Sequence, residues 1–355
     1  MADPQDIQRA LGGIAVWNPW AQARLDTTQR PVADFSGAGA EIAGISFEGF
    51  IFPGEAKFSG TEFSQTVSFR AATFHGDANF NNVRFEVSAC FDHARFLNFA
   101  NFDHARFERL FVRGAKFSGE TNFVHAWFNY SEFTGVEFNH ALTRFTNAYF
   151  EHVPDFWATT VATPPLFQRV QVRYQKYSGR KFWRRWISCS FGEEDAARFR
   201  RLKQLASDWR DHQLELDYFA YELQAKRCTE TKSLFPILLN LLYGWLSDFG
   251  RSVARPFLLL VGLTAVAAVR IFLVYSPTCA VAPAWAALKV SLTNTSLLLG
   301  ADKWEIRSDA ITKLCGACKT ELNADPLAYV QSGIALLLLF LMGLGLRNRF
   351  RIGST

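Results

Sequence analysis

The chain has 355 residues, room for two or three domains, and a modest formal net charge of +5 that is unevenly placed. Phenylalanine is overused, with 35 copies. There is no phosphate-cradling glycine loop, no His-Glu-x-x-His and no Gly-x-Ser-x-Gly elbow, so neither enzyme chemistry nor a cofactor is expected. Residues 1–34 form an N-terminal segment carrying Asp3 and Asp6 without the apolar stretch of a secretory signal. The repeat-bearing residues after it are therefore expected in the cytoplasm.

From Phe58 onward phenylalanines recur with gaps that alternate between five and six residues. They are Phe58, Phe63, Phe69, Phe74, Phe80, Phe85, Phe91, Phe96, Phe102 and Phe107, and after Val112 they resume at Phe117, Phe123, Phe128, Phe133, Phe138, Phe145, Phe150 and Phe156. A small residue usually stands two places earlier, as at Ala56, Ala78, Ala100 and Ala126. Neither a helix nor an ordinary strand has this period. A fixed internal period instead marks a stacked repeat, in which each unit buries its apolar face against its neighbours.

Segments such as Phe91-Asp-His-Ala-Arg-Phe96 and Phe102-Asp-His-Ala-Arg-Phe107 resemble the Phe-centred 5+6 variant of the pentapeptide-repeat family. The resemblance covers roughly residues 35–157. It implies a right-handed quadrilateral β-helix in which Phe and Ala point inward and each Phe stacks on its counterpart one coil away. At about 20–22 residues and ~4.8 Å per coil, the rod should have five or six coils. The steps Phe107 to Val112 and Phe138 to Phe145 break the phase, and a bulge or loop is expected at each. Residues 35–156 carry 14 acidic against 9 basic side chains. Some members of the family imitate DNA, but this surplus is too thin to mimic one charge per ~1.7 Å, and no nucleic-acid partner is expected. Six histidines lie in the rod: His75, His93, His104, His125, His140 and His152. Most fall two residues after a ladder Phe, where a surface turn is the simpler reading and a proton-sensing or metal-binding row the alternative. His104 and His125 stand about one coil apart and could stack. No metal site is assigned.

Residues 158–192 form a basic, aromatic linker. Between Gln168 and Arg185 it has seven basic residues and no acid, with Tyr174, Tyr177, Phe182 and Trp183 interleaved, as suits an anionic lipid surface. Residues 193–230 read as one long amphipathic helix, with Phe199, Leu202, Ala206, Trp209, Leu216, Ala220 and Leu223 on one stripe. That stripe could cap the rod or join subunits. Residues 231–250 are apolar and too short to span, and they are expected to lie at the inner membrane interface.

Residues 251–352 form the membrane domain. Segments 256–275 and 327–346 each offer 20 apolar-rich residues, interrupted only by Arg270, enough to cross a hydrocarbon core of ~30 Å. Arg251 and Arg255 precede the first span, and Arg347, Arg349 and Arg351 follow the second. By the positive-inside rule both termini are cytoplasmic and the connecting loop is external, giving a multi-pass inner-membrane protein with the lipid bilayer as a partner. Cys279, Cys315 and Cys318 fall in that loop. A zinc-knuckle half or a redox pair is conceivable for Cys315 and Cys318, but zinc wants four ligands, and a structural disulfide with Cys279 as a candidate partner is the better expectation.

Within the loop, residues 284–299 read as a helix of about 24 Å, short for a span. Trp285, Leu288, Leu292 and Leu299 lie on one side, and Lys289, Thr293 and Ser296 on the other, with Ser291, Asn294 and Thr295 nearby. A short helix between two spans resembles the pore helix of two-helix, pore-loop channels. The stretches around Tyr243–Pro256 and Leu346–Ile352 are similar to those of bacterial membrane proteins that fuse pentapeptide repeats to such a module. The resemblance implies an ion channel built as a homo-oligomer, with four copies suggested. Leu297-Leu-Leu-Gly-Ala-Asp-Lys-Trp304 lacks a Thr-x-Gly-Tyr-Gly run, so potassium selectivity is not expected. Lys289, Thr293, Asn294, Ser296 and Arg270 are the candidate pore residues. A membrane-anchored scaffold without a pore is the alternative.

Overall fold

The computed structural model describes residues 2–28, 30–140, 142–163, 165–167, 169–172, 192–208, 210–231, 233–275, 284–295, 303–315 and 325–351. The chain divides into two compact units, Met1–Arg210 and Asp211–Thr355.

The first unit is a β-solenoid of parallel two-residue strands. Thr73 and Phe74 pair with Arg95 and Phe96, and these in turn with Lys116 and Phe117. Each strand buries one side chain and turns its neighbour outward, which is why a helical period never develops. Four inward columns result. One runs Phe35, Phe58, Phe80, Phe102, Phe123, Phe145 and Phe167, with stacked ring centroids 4.9–5.0 Å apart. A second runs Phe52, Phe74, Phe96, Phe117 and Phe138, and a third Phe63, Phe85, Phe107, Phe128 and Phe150. In the fourth, buried Val112 takes the place of a ring between Phe91 and Phe133. Columns meet edge to face, as for Phe80 and Phe91 at 5.4 Å and 89°. Both arrangements suit the aromatic quadrupole and add about 0.5–1.5 kcal/mol per pair beyond burial.

The phase break at Val112 has another cause than the expected bulge. One residue is missing from a corner, and the two strands flanking it fuse into a single six-residue strand, Arg106–Phe111. The next coil repeats the deletion in Trp127–Glu132, and the two long strands pair along their length. The solenoid also runs past the expected 35–157. Ala33–Asp34 opens it, and Gln171–Val172 pairs with Tyr149–Phe150 at the far end.

Alternate corners carry a left-handed residue two places after the ladder side chain, including Asn82, His93, His104, His125 and Asn147 at φ 55–58°. Between coils, Asp92 accepts from the backbone N–H of Arg113 at 2.9 Å and from its guanidinium at 2.7 and 3.0 Å. Burial pushes the Asp92 carboxyl up, but these bonds and the Arg113 charge outweigh it and hold the group below its ordinary value.

An open solenoid end exposes unpaired backbone and apolar rings, so both ends need caps. At the N-terminal end α1 (Pro4–Leu11) and α2 (Ile14–Gln22) close it. Trp17 of α2 is buried, stacks on Phe50 at 5.4 Å and donates its indole N–H to Ile51 O at 2.8 Å. Asp6 of α1 accepts from the Asp34 N–H at 3.0 Å. At the other end α3 (Asp195–Asp208) buries Phe199, Leu202, Leu205 and Ala206. Its Arg198 donates to Val153 O, and Arg201 to Phe156 O and Thr159 O, satisfying carbonyls of the last coils.

The single helix expected over 193–230 is two. α3 ends at Asp208, Arg210 takes a left-handed φ of 59°, and α4 (His212–Thr229) starts afresh with Asp211 as N-cap to the Leu214 N–H. A left-handed residue followed by a capping Asp ends one helix and starts the next, whatever apolar stripe runs across the junction. The basic segment centred on 173–191 lies outside the described residues.

The second unit continues with α5 (Leu234–Ser247), α6 (Ala254–Tyr275), α7 (Ala284–Thr295), α8 (Lys303–Cys315) and α9 (Pro326–Arg351). By length and composition α6 and α9 could each cross a membrane. Only 17% of the most apolar window of α6 and 22% of that of α9 is buried among the described residues, so most of their apolar surface faces outward from this unit.

Candidate functional site

The second unit buries polar groups and exposes apolar ones, and most of the buried polar groups gather around α7. Its apolar contacts come first: Ala286, Ala287 and Val290 pack with Ile271 of α6 and with Ala310, Ile311 and Leu314 of α8. Small residues on α7 let neighbouring helices approach closely.

The C-terminal half of α7 is polar and enclosed. Ser291, Thr293, Asn294 and Thr295 are all buried. Ser291 Oγ donates to Thr264 O, in the middle of α6, at 2.8 Å. Gln331 of α9 donates to Ser291 Oγ at 2.9 Å and to Ser291 O at 3.1 Å, while its Oε1 accepts from the Asn294 amide at 3.1 Å. Ser332 donates to Asn294 O at 2.8 Å, and buried Arg307 of α8 donates to Asn294 Oδ1. Thr293 turns its hydroxyl back to Val290 O. Polar groups away from water cost free energy unless paired, and this network pairs them within one chain.

Arg270 of α6 and Asp325 form a bidentate pair at 2.7 and 3.2 Å. Asp325 also accepts from the Leu327 N–H at 3.0 Å, at the start of α9. The Arg270 charge is thus matched by a fixed anion and is not presented bare.

The sequence candidates do not all come together. Thr293 and Asn294 share the enclosed side of α7. Lys289 lies on the exposed side with Trp285, Leu288 and Leu292, its Nζ 4.6 Å above the Trp285 ring. Arg270 belongs to the separate pair with Asp325. Ser296, Cys279 and Cys318 lie outside the described residues, as does the side chain of Cys315. Gln331, Arg307 and Asp325 escaped the reading of the sequence. A lone amide in an otherwise apolar span is the signal that points to Gln331. Arg307 and Asp325 sit among a balanced mixture of charges and leave no such mark.

Comparison with known proteins bears on the first unit alone. Residues 47–89 match a family model described as Pentapeptide repeats (9 copies). No curated protein and no solved structure matches the chain.

Proposed function

We propose that this chain, a pentapeptide-repeat solenoid followed by an apolar helical unit, is the subunit of an oligomeric ion-conducting membrane pore with its solenoid in the cytoplasm. One observation carries the reading. The described part of α7 sets buried Ser291, Thr293, Asn294 and Thr295 against the middle of α6 and the start of α9, held there by Thr264, Gln331 and Ser332. Polar groups between two membrane-spanning helices are tolerated only where protein pairs them or water reaches them. Brought together from several copies, such groups can line a path for ions. Two spans cannot enclose a water path, so several copies must, and resemblance to pore-loop channels suggests four. Arg251 and Arg255 around the start of α6 and the arginines at the end of α9 support a topology with both termini in the cytoplasm of a cell with an inner membrane. Selectivity is left open except that no potassium-type run is present.

A second reading, an anchored scaffold without a pore, has its own support. The buried polar groups of α7 satisfy one another within one chain, so they do not by themselves demand water. Planar-bilayer recording of the purified full-length protein separates the two. A pore gives discrete current steps, and Lys289→Glu shifts the reversal potential in a salt gradient toward cations. Silent bilayers together with a monomer in mild detergent would leave the anchored scaffold.

A further inference from the structure

We propose that Asp103, His104 and His125 form a binding site for a zinc-class divalent cation on an outer edge of the solenoid. The site arises from the corner geometry. Asn82, His104, His125 and Asn147 occupy the same left-handed corner of four successive coils, with φ of 55, 55, 55 and 58°. The two imidazoles are thereby laid one over the other, with centroids 4.6 Å apart and planes 29° apart.

Asp103 precedes this corner, and its backbone N–H is held by Asn101 Oδ1 at 3.1 Å. Its carboxylate oxygen Oδ1 lies 3.0 Å from His104 Nδ1 and 3.8 Å from His125 Nδ1. The three ligand atoms all fall within 4.8 Å of one another. Zinc bound tetrahedrally at about 2.0–2.2 Å places its ligand atoms roughly 3.3 Å apart, which the two observed separations bracket.

A second observation points the same way. Asp103 Oδ1 is withdrawn from solvent and makes no hydrogen bond of acceptable geometry. A desolvated carboxylate oxygen facing two imidazole nitrogens is costly when neutral imidazoles surround it, and a cation between them removes that cost. Asn147 Nδ2 lies 3.0 Å from His125 Nε2. Binding an ion at His125 Nδ1 needs the ring proton on Nε2, so the Asn147 amide would have to turn its carbonyl oxygen to that nitrogen as the ion binds. Both imidazoles are about half exposed, so a water molecule can fill the fourth position. Two imidazoles and one carboxylate suit zinc, copper or nickel, and they do not suit magnesium, which demands an octahedron of oxygens. A bound ion would clip two neighbouring coils together.

Isothermal titration of zinc into the full-length protein in detergent, purified without a histidine tag, tests the proposal. One ion per chain should bind with a dissociation constant in the micromolar range or below, and magnesium should give no binding heat. Asn82 and Asn147 already hold this corner, so His104→Asn and His125→Asn keep its backbone conformation. Each should weaken zinc binding at least about tenfold, and the pair should abolish it, with the circular dichroism spectrum unchanged. Zinc binding retained by the double variant, or absent from the wild type up to millimolar zinc, would overturn the proposal.

Discussion

The solenoid and the helical unit solve opposite problems. In the solenoid, phenylalanines fill the inside and charged side chains line the outside. In the helical unit Val266 and Phe340 are 70% and 61% exposed, while Ser291, Asn294, Gln331 and Arg307 are buried. Burial of apolar surface drives the first arrangement. It cannot drive the second if the surroundings are as apolar as leucine, and close packing with internal hydrogen bonds must take over. The same residue type therefore carries different weight in the two units.

The sharpest way to break this comparison is to remove one ring from a column. Phe91→Ala should cost about 3–5 kcal/mol, because Phe91 is buried and stacked on Phe69 at 4.9 Å. His93→Ala, two residues on, should be nearly neutral, since Ala71 and Ala158 already adopt that corner conformation. Denaturant titration of the full-length protein in detergent measures both. Equal losses would mean that the inward and outward positions are wrongly assigned.

A smaller effect is expected in the helical unit, and from a polar residue. Asn294→Leu strips Arg307 and Gln331 of a partner and should cost about 1–3 kcal/mol in thermal unfolding in micelles. Leu258→Ala, at a side chain 65% exposed, should change stability by less than about 0.5 kcal/mol under the same conditions. If Leu258→Ala proved the worse of the two, the outward apolar face would be packing against protein, and the two units would obey one rule after all.

The last prediction concerns pH. Arg113 and its backbone N–H hold Asp92 below the ordinary value of 3.8 for such a carboxyl. A group depressed in the folded state adds stability that is fully present above about pH 4 and is lost as pH falls through its folded value. The solenoid should therefore weaken on acidification in that window. Arg113→Met should flatten part of that acid limb by lowering stability at neutral pH, with the two proteins converging once Asp92 is protonated. An acid limb identical in the two proteins would show that the cross-coil clamp contributes nothing.

Period and apolar length are properties of the chain itself, and they were legible. A ring every five or six residues can be buried only by stacking, and two apolar segments of 20 residues announce their length whatever surrounds them. The polar end of α7 was partly visible too, in Ser291, Thr293 and Asn294. Tertiary structure decided the rest, because it depends on partners distant in sequence. Asp211 starts a new helix beneath an apolar stripe that only Gln213 interrupts, and the shortened corner at Val112 fuses two strands where a bulge was expected. Trp17 and Arg201 are caps only because open coils lie beside them. Lys289 parts from Asn294 because α7 turns one side to α9, and Gln331 meets Ser291 across 40 residues. Asp103 finds His125 only because a coil closes at that length. A single chain carries the period of its repeats, but what each side chain meets is set by which coil or helix lands beside it.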